Sequence, residues 1–245
     1  MNEPLDLRSV IEAGSFDFID FGCSKGGSLR VGAELFGGHR GLGLDIDPAK
    51  VAATRGAGFD AMQADITALG GENDLVSFVL MLHFLEHLPG YDLAKKVIEV
   101  GCSVAKDFVY IRHPWFDADG LLFDYGLKFF WSDWTGHPNH FGKLQFYNVV
   151  GRIARVHKWW MFGYDRVVDS RSRDLVSLTE DKNSQGATQE EADRRQVVVF
   201  PIPVFRQIAC LIQINPDFDA QSLVTRLRRH EVIHESRPAR RAAVG

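Results

Sequence analysis

Cysteine is scarce in this chain. Three cysteines stand far apart at 23, 102 and 210, with no C-x-x-C pair, which excludes a disulfide framework or a paired-cysteine zinc site and suits reduced thiols in a cytosol. An excess of positive charge is missing too. Lys+Arg number 28 against 32 Asp+Glu, a net charge of -4, so no global electrostatic case exists for a nucleic-acid partner. Long apolar runs are absent. Leu75 to Leu88 is too short to span a bilayer and contains Glu86 and two histidines. The opening MNEPLDLRSV lacks the basic, apolar character of a secretory leader. A cytoplasmic protein without a membrane span is expected, and no internal repeat is visible.

What is present is material for one full core. The 245 residues are 45% hydrophobic, and strand-like and helix-like stretches alternate, which favours one α/β domain over two. The richest stretch is Phe16 to Asp47, FDFIDFGCSKGGSLRVGAELFGGHRGLGLDID. Phe16, Phe18, Ile19 and Phe21 form a short apolar run of the kind found in buried parallel strands, with Asp20 near its end. Gly22, Gly26 and Gly27 allow a sharp turn that brings backbone close to a ligand, and Ser28 can cap the following helix. From Gly22 to Asp45 is 23 positions, near the ~20 expected when a strand-end carboxylate binds ribose hydroxyls. Such a turn alone does not choose among nucleotides.

The wording of the turn is sharper. D-x-G-C-x-x-G, here Asp20, Gly22, Cys23 and Gly26, resembles motif I of the class I S-adenosylmethionine-dependent methyltransferases. A dinucleotide fingerprint would need a glycine where Ser24 stands. Three further segments follow in the order of that family. GLGLDIDPAKV resembles its second strand, with Asp45 as the acid, and Asp47-Pro48 reads as a helix start. FDAMQADIT resembles its third strand, ending in Asp65 and Ile66. DLVSFVLMLHFLEHLPG resembles its fourth, with the L-E-H-L ending of small-molecule members.

The resemblance covers roughly positions 10 to 215 and implies a Rossmann-like α/β fold. Its seven-stranded sheet would be mostly parallel with an antiparallel last strand and helices on both faces. S-adenosylmethionine is the implied cofactor. Asp20 would face its amino-acid end, Asp45 the ribose, Asp65 the adenine, and Leu82 and His83 the methyl-transfer channel, with Gly22, Cys23 and Gly26 forming the turn and Ile46 and Ile66 also binding the cofactor. Simpler roles stay open: Asp47 as a cap, Asp65 as a turn residue, Asp20 as a turn cap and Cys23 as a small packing residue.

Tyr91 to Val104 has a helical apolar face despite Gly101, and Phe108 to Ile111 is the expected fifth strand. From about 113 to 140 the chain loses any steady period and becomes rich in aromatics, among them Trp115, Trp131 and Trp134. Leaving the carboxyl edge of the sheet, this insertion is expected to cover the acceptor, with Trp115, Trp131, Trp134 and His137 touching it. A simple aromatic core or a homodimer interface are the alternatives. His140 to Val156 resembles the family's next helix, MFGYDRVVDSRSRDLVSL its sixth strand and FRQIACLIQI its seventh, with an exposed polar loop at 179–196 between them and Pro201 and Pro203 weakening pairing at the start of the last. The domain would end near 215. Residues 216–245 would be a short helix capped by Asp219 and a basic, disordered tail, whose last twenty residues hold six arginines against two glutamates.

Methyl transfer to a hydroxyl needs a proton acceptor, and histidine titrates close to neutral pH. His83, His87, His113, His137 and His140 should converge at the carboxyl edge. His140 is the first candidate for a general base and His113 the second, with His87 read as structural. His137, His140 and Asp133 could offer metal ligands, but the proline between the histidines argues against their convergence, and no metal is expected. Neither N-P-P-Y nor D-P-P-Y follows the fourth strand, no P-C nucleophile is present, and no basic, aromatic patch tracks a phosphate backbone. The expected acceptor is a small molecule or glycan, through oxygen. Two other functions remain: an inactive cofactor-binding regulatory subunit, and an NAD(P)-dependent oxidoreductase.

Overall fold

Short runs of Phe, Ile, Leu and Val ending in Gly or Asp become parallel strands here, and the amphipathic stretches between them become covering helices. The computed structural model describes residues 7–69, 73–228 and 230–238. In chain order, α1 (Leu7–Gly14), β1 (Phe18–Phe21), α2 (Gly27–Phe36), β2 (Gly41–Asp45), α3 (Pro48–Gly56), β3 (Asp60–Gln63), β4 (Val76–Leu82), α4 (Tyr91–Val104) and β5 (Ala105–Pro114) make the first half. Then come α5 (Asp119–Asp124), β6 (Leu127–Phe129), α6 (Lys143–Val150), β7 (Lys158–Asp169), β8 (Leu175–Ser177), α7 (Gln189–Asp193), β9 (Val199–Gln213), α8 (Ala220–Leu227) and β10 (Glu231–Glu235).

The main sheet runs β10-β7-β9-β5-β4-β1-β2-β3. β3, β2, β1, β4 and β5 are mutually parallel, while β9 is antiparallel to both β5 and β7. The chain winds outward in opposite directions from β1 and β4, so a crevice opens beyond their carboxyl ends.

Two-residue alternation divides the core. Ile19, Phe21, Val79, Met81, Val109 and Ile111 face α1, α4 and α6 on one side; Phe18, Phe78, Leu80, Phe108 and Tyr110 face α2 and α8 on the other. On that second side Phe18, Phe78 and Phe108 stack across β1, β4 and β5 with centroids 4.8 and 4.7 Å apart. Each such pair adds roughly 0.5–1.5 kcal/mol beyond its buried area. Gly101 in α4 is explained by contact: a Cβ there would stand 2.4 Å from Met81 Cε.

Several expectations are corrected by the structure. The sheet has eight strands, because Glu231–Glu235 of the supposed tail pairs antiparallel with β7. Lys158 meets Glu235 at 2.5 Å and Arg166 meets Glu231 at 3.5 Å across that pair, so the edge is held by complementary charge. The part of the tail from 239 onward lies outside the described residues. The sixth strand ends at Asp169; Leu175–Ser177 leaves it to pair with β6 in a separate two-stranded ladder. The polar 179–196 stretch contains α7, which Thr188 and Glu191 close with a reciprocal capping box. α6 stops at Val150, so Ile153 and Val156 pack from the loop beyond it. Ser28 does not cap α2: Gly26 does, and the Ser28 hydroxyl donates to Asp20. Asp47 and Asp219 do cap α3 and α8, accepting from Ala49 N at 2.8 Å and Ser222 N at 3.1 Å.

Candidate functional site

The turn after β1 is built for close approach. Gly22 takes φ +77°, and a Cβ on it would lie 2.3 Å from the Phe84 ring. Only glycine meets both conditions. Asp45, at the end of β2, accepts from Ser24 N and Asp47 N, each at 3.1 Å, and so fixes both the turn and the start of α3. Asp65 accepts from Thr67 N at 2.9 Å and Thr67 Oγ1 at 2.7 Å in a short turn, contacts that hold its carboxyl below the usual range. Gly22, Asp45, Ile46, Asp65, Ile66, Phe84 and His87 line a cavity of about 290 Å³ that reaches the side of α4.

Four of the residues assigned to the cofactor by resemblance, Asp20, Cys23, Gly26 and Leu82, do not line that cavity. Asp20 is fully buried with Oδ1 lacking a hydrogen bond; burial, reinforced by the nearby Asp45 charge and opposed by Ser28, pushes its pKa up to about 7. Cys23 is buried under Gly43, with its thiol raised to about 11 mainly by burial. Gly26 opens α2. Leu82 is buried at the end of β4.

A second cavity, about 340 Å³, adjoins the first through the shared His87. Its wall includes His83, Glu86, Pro114, Phe130, Trp131, Trp134, His137 and Gln207. The insertion is pinned to the β4 side by Asn139, which donates to Leu85 O at 2.8 Å and, through its backbone N, to Glu86 O at 3.3 Å. Trp134 Nε1 donates to Ser184 O at 2.9 Å, tying the 179–196 stretch to the same wall. His83 adopts a left-handed φ of +52°, sparsely populated for a non-glycine residue. Its side chain is 43% exposed, and Nδ1 lies 3.3 Å from Glu86 Oε1. Burial by itself would raise the Glu86 carboxyl; the His83 contact and the charge interaction with His113 outweigh it and hold the group low. A larger polar hollow of about 620 Å³ along β7 and β9 includes Arg112, Tyr164 and Gln207 and has no residue of the glycine turn in its lining.

The histidines separate clearly. His137 lies on the aromatic cavity, with its pKa lowered chiefly by burial. His113 is inside β5 at 0% exposure, its ring stacked on Phe146, and burial drops its pKa to about 4. His140 is stacked on Phe116 at 4.3 Å and paired with Asp119 at 3.3 Å, and it is not among the residues lining the aromatic cavity. Trp115 is packed edge-on to Phe205 in the core, also off both cavities. Asp133 holds Lys128 at 2.7 Å, so Asp133, His137 and His140 do not form one cluster.

Glu86 and His87 bring the polar groups of this wall together, and sequence reasoning gave Glu86 no role. A signal existed: an acid inside the apolar run FVLMLHFLEHL can be buried only if something there compensates its charge.

No family profile and no curated protein matches the sequence. Solved structures do match in fold. An S-adenosylmethionine-dependent methyltransferase from Archaeoglobus fulgidus aligns over 84% of this chain and 92% of its own, at 14% identity and a TM-score of 0.56. The proposed methyltransferase in complex with the Trm112 methyltransferase activator of Haloferax volcanii aligns over 83% of both chains, at 15% identity and 0.55. An S-adenosylmethionine-dependent methyltransferase from Methanosarcina mazei covers 81% of this chain and 92% of its own, at 13% identity and 0.50. The chain has the class I methyltransferase fold, and no helix among the described residues is long and apolar enough to cross a membrane.

Proposed function

We propose that the chain is a methyltransferase that binds S-adenosylmethionine in the cavity beside Gly22 and Asp45 and methylates an oxygen of a small-molecule or glycan acceptor held among Trp131, Trp134 and His137. The observation that carries this reading is the adjacency of the two cavities, one edged with carboxylates and glycine, the other with aromatics and imidazoles, sharing His87.

The residues suit the cofactor. Asp45 keeps lone pairs free for ribose hydroxyls after accepting its two backbone N–H groups. Asp20 offers a buried oxygen without a hydrogen-bond partner beneath the turn, and Gly22 leaves no side chain between backbone and ligand. When bound, the sulfonium supplies a methyl group already activated for displacement.

What the protein adds is alignment and proton removal. His83 is our candidate base in place of His140 and His113. It is on the cavity wall, within reach of an acceptor hydroxyl, and its ring is oriented beside the Glu86 carboxylate at 3.3 Å. The aromatic faces of Trp131 and Trp134 fit an apolar ring or the C–H faces of a sugar.

Differential stabilisation tests the assignment. S-adenosylmethionine and its demethylated product should each raise the melting temperature of the full chain, because a ligand bound only to the native state stabilises it by mass action. A rise with NADH and none with either adenosyl compound would overturn it in favour of an oxidoreductase.

A further inference from the structure

Glu86, His87 and His137 meet where the two cavities adjoin, one potential ligand atom of each lying within 4.8 Å of the others. Glu86 is 1% exposed, yet neither of its carboxylate oxygens has a hydrogen bond. An ionised carboxylate in that position needs compensating charge. The half-exposed His83, 3.3 Å from Oε1 without hydrogen-bond geometry, is the nearest partner.

The two imidazoles are prepared in the same way. His87 Nδ1 lies 2.7 Å from Gly136 O, and His137 Nδ1 lies 3.1 Å from Trp131 O. A carbonyl oxygen only accepts, so in the neutral imidazole each Nδ1 carries the proton and each Nε2 offers its lone pair. Donation of the second nitrogen to a carbonyl is the outer contact that orients metal-bound histidine. The ring centroids are 5.0 Å apart at an interplanar angle of 63°.

We propose that Glu86, His87 and His137 form a site for a divalent transition ion of the zinc class, with a coordination position open to the aromatic cavity. Two imidazoles and one carboxylate suit such an ion, whereas magnesium and calcium favour all-oxygen sets. Bonds of ~2.1 Å in a tetrahedron place ligand atoms about 3.4 Å apart, so small side-chain rotations must close the triad. His87 is exposed and gives the ion a path from solvent. Because Glu86 and His87 follow β4 while His137 belongs to the insertion, the ion would also clamp the insertion to the sheet. Its chemical role rests on the methyl-transfer reading: held by Glu86, His87 and His137, an ion would supply Lewis acidity at the open position and orient an acceptor oxygen in the aromatic cavity.

The test is made on the full chain after chelator treatment. Titrating Zn²⁺ against a chromophoric chelator should show one tight equivalent, and that equivalent should raise the melting temperature. Glu86→Gln, His87→Ala and His137→Ala should each weaken Zn²⁺ binding by about tenfold or more, while Glu86→Gln and His137→Ala, which lie off the cofactor cavity, retain stabilisation by S-adenosylhomocysteine. If His137→Ala does not fold, the near-isosteric Glu86→Gln and the exposed His87→Ala carry the test. Absence of Zn²⁺ binding in a wild-type chain that still responds to S-adenosylhomocysteine would overturn the site. So would affinity unchanged by both Glu86→Gln and His87→Ala. Zn²⁺ binding without any adenosyl response would instead sink the methyl-transfer reading and leave the metal site standing.

Discussion

Asp20 and Asp45 stand on the paired strands β1 and β2, and their environments predict different behaviour. Asp20 is buried beneath the turn, and its carboxyl titrates at about 7 against an ordinary 3.8, chiefly through burial. Between those values the unfolded chain has lost the proton while the folded chain still holds it. Stability from this group therefore falls as pH rises from about 4 to about 7, by at most roughly 4 kcal/mol, and is flat above that. Asp20→Asn should flatten the profile in denaturant melts across that window; an unchanged slope would place the titration elsewhere. If the cofactor's ammonium approaches Asp20, its affinity should also rise with pH up to about 7, and Asp20→Asn should lose that rise. Asp45 differs because its two oxygens already hold Ser24 N and Asp47 N. Truncation to Ala leaves both donors without that acceptor, so Asp45→Ala should lower the melting point of the ligand-free protein as well as the response to S-adenosylhomocysteine, with a cost of about 1–3 kcal/mol. A ligand-free melting point equal to wild type would show that those two hydrogen bonds carry no stability.

Among the elements, β10 makes the clearest prediction. Ending the chain after Arg228 would strip the partner from β7, where Trp160 pairs with Glu235 and Trp159 exchanges hydrogen bonds with Ser236. Ladder hydrogen bonds contribute about 1 kcal/mol each net, so a loss on the order of 2 kcal/mol is expected, or a melting temperature roughly 4–8 °C lower for a chain of this size. The bared edge should also promote association, visible in light scattering. A shortened chain as stable and monodisperse as the original would mean that the edge pairing contributes little. β10 was hidden in the sequence because EVIHE is short, carries charge at both ends and lies in an arginine-rich stretch, where composition points to solvent. β1, β2, β4 and α4 were legible because their burial is set by local pattern: FIDF and VSFVLML are mostly apolar and buried on both faces, and α4 repeats its apolar positions at helical spacing. The 179–196 stretch misled for the opposite reason. Its order comes from a capping box and from Trp134 reaching Ser184, contacts of which only the first is local. At the site the split is the same: the glycine turn and Asp45 are written in short-range spacing, whereas the convergence of Glu86, His87 and His137 depends on how the insertion folds back through Asn139, which no spacing encodes.

At the scale of the whole molecule, one sheet edge supports two adjoining cavities, and damage to each should be separable. Residues on the aromatic side touch only the second cavity, so their loss should spare cofactor affinity. Trp134→Ala removes a partly buried ring at the wall and its hydrogen bond to Ser184; it should raise the acceptor KM with little change in kcat, as expected when binding shared by ground state and transition state is removed. His83→Ala removes the proposed proton acceptor and should lower kcat by ~10²- to 10⁴-fold. His140→Ala discriminates between the two placements of the base. His140 is held by Asp119 and Phe116 and does not line the aromatic cavity, so this variant should turn over within a few-fold of wild type once an acceptor is in hand. Turnover that collapses in His140→Ala while His83→Ala stays active would reverse the assignment and require the insertion to shift so that His140, not His83, meets the acceptor. Equal stabilisation of all three variants by S-adenosylhomocysteine would show that these changes act on the acceptor side. Loss of that stabilisation in His83→Ala alone would instead make His83 part of the cofactor cavity, where its neighbour His87 already stands.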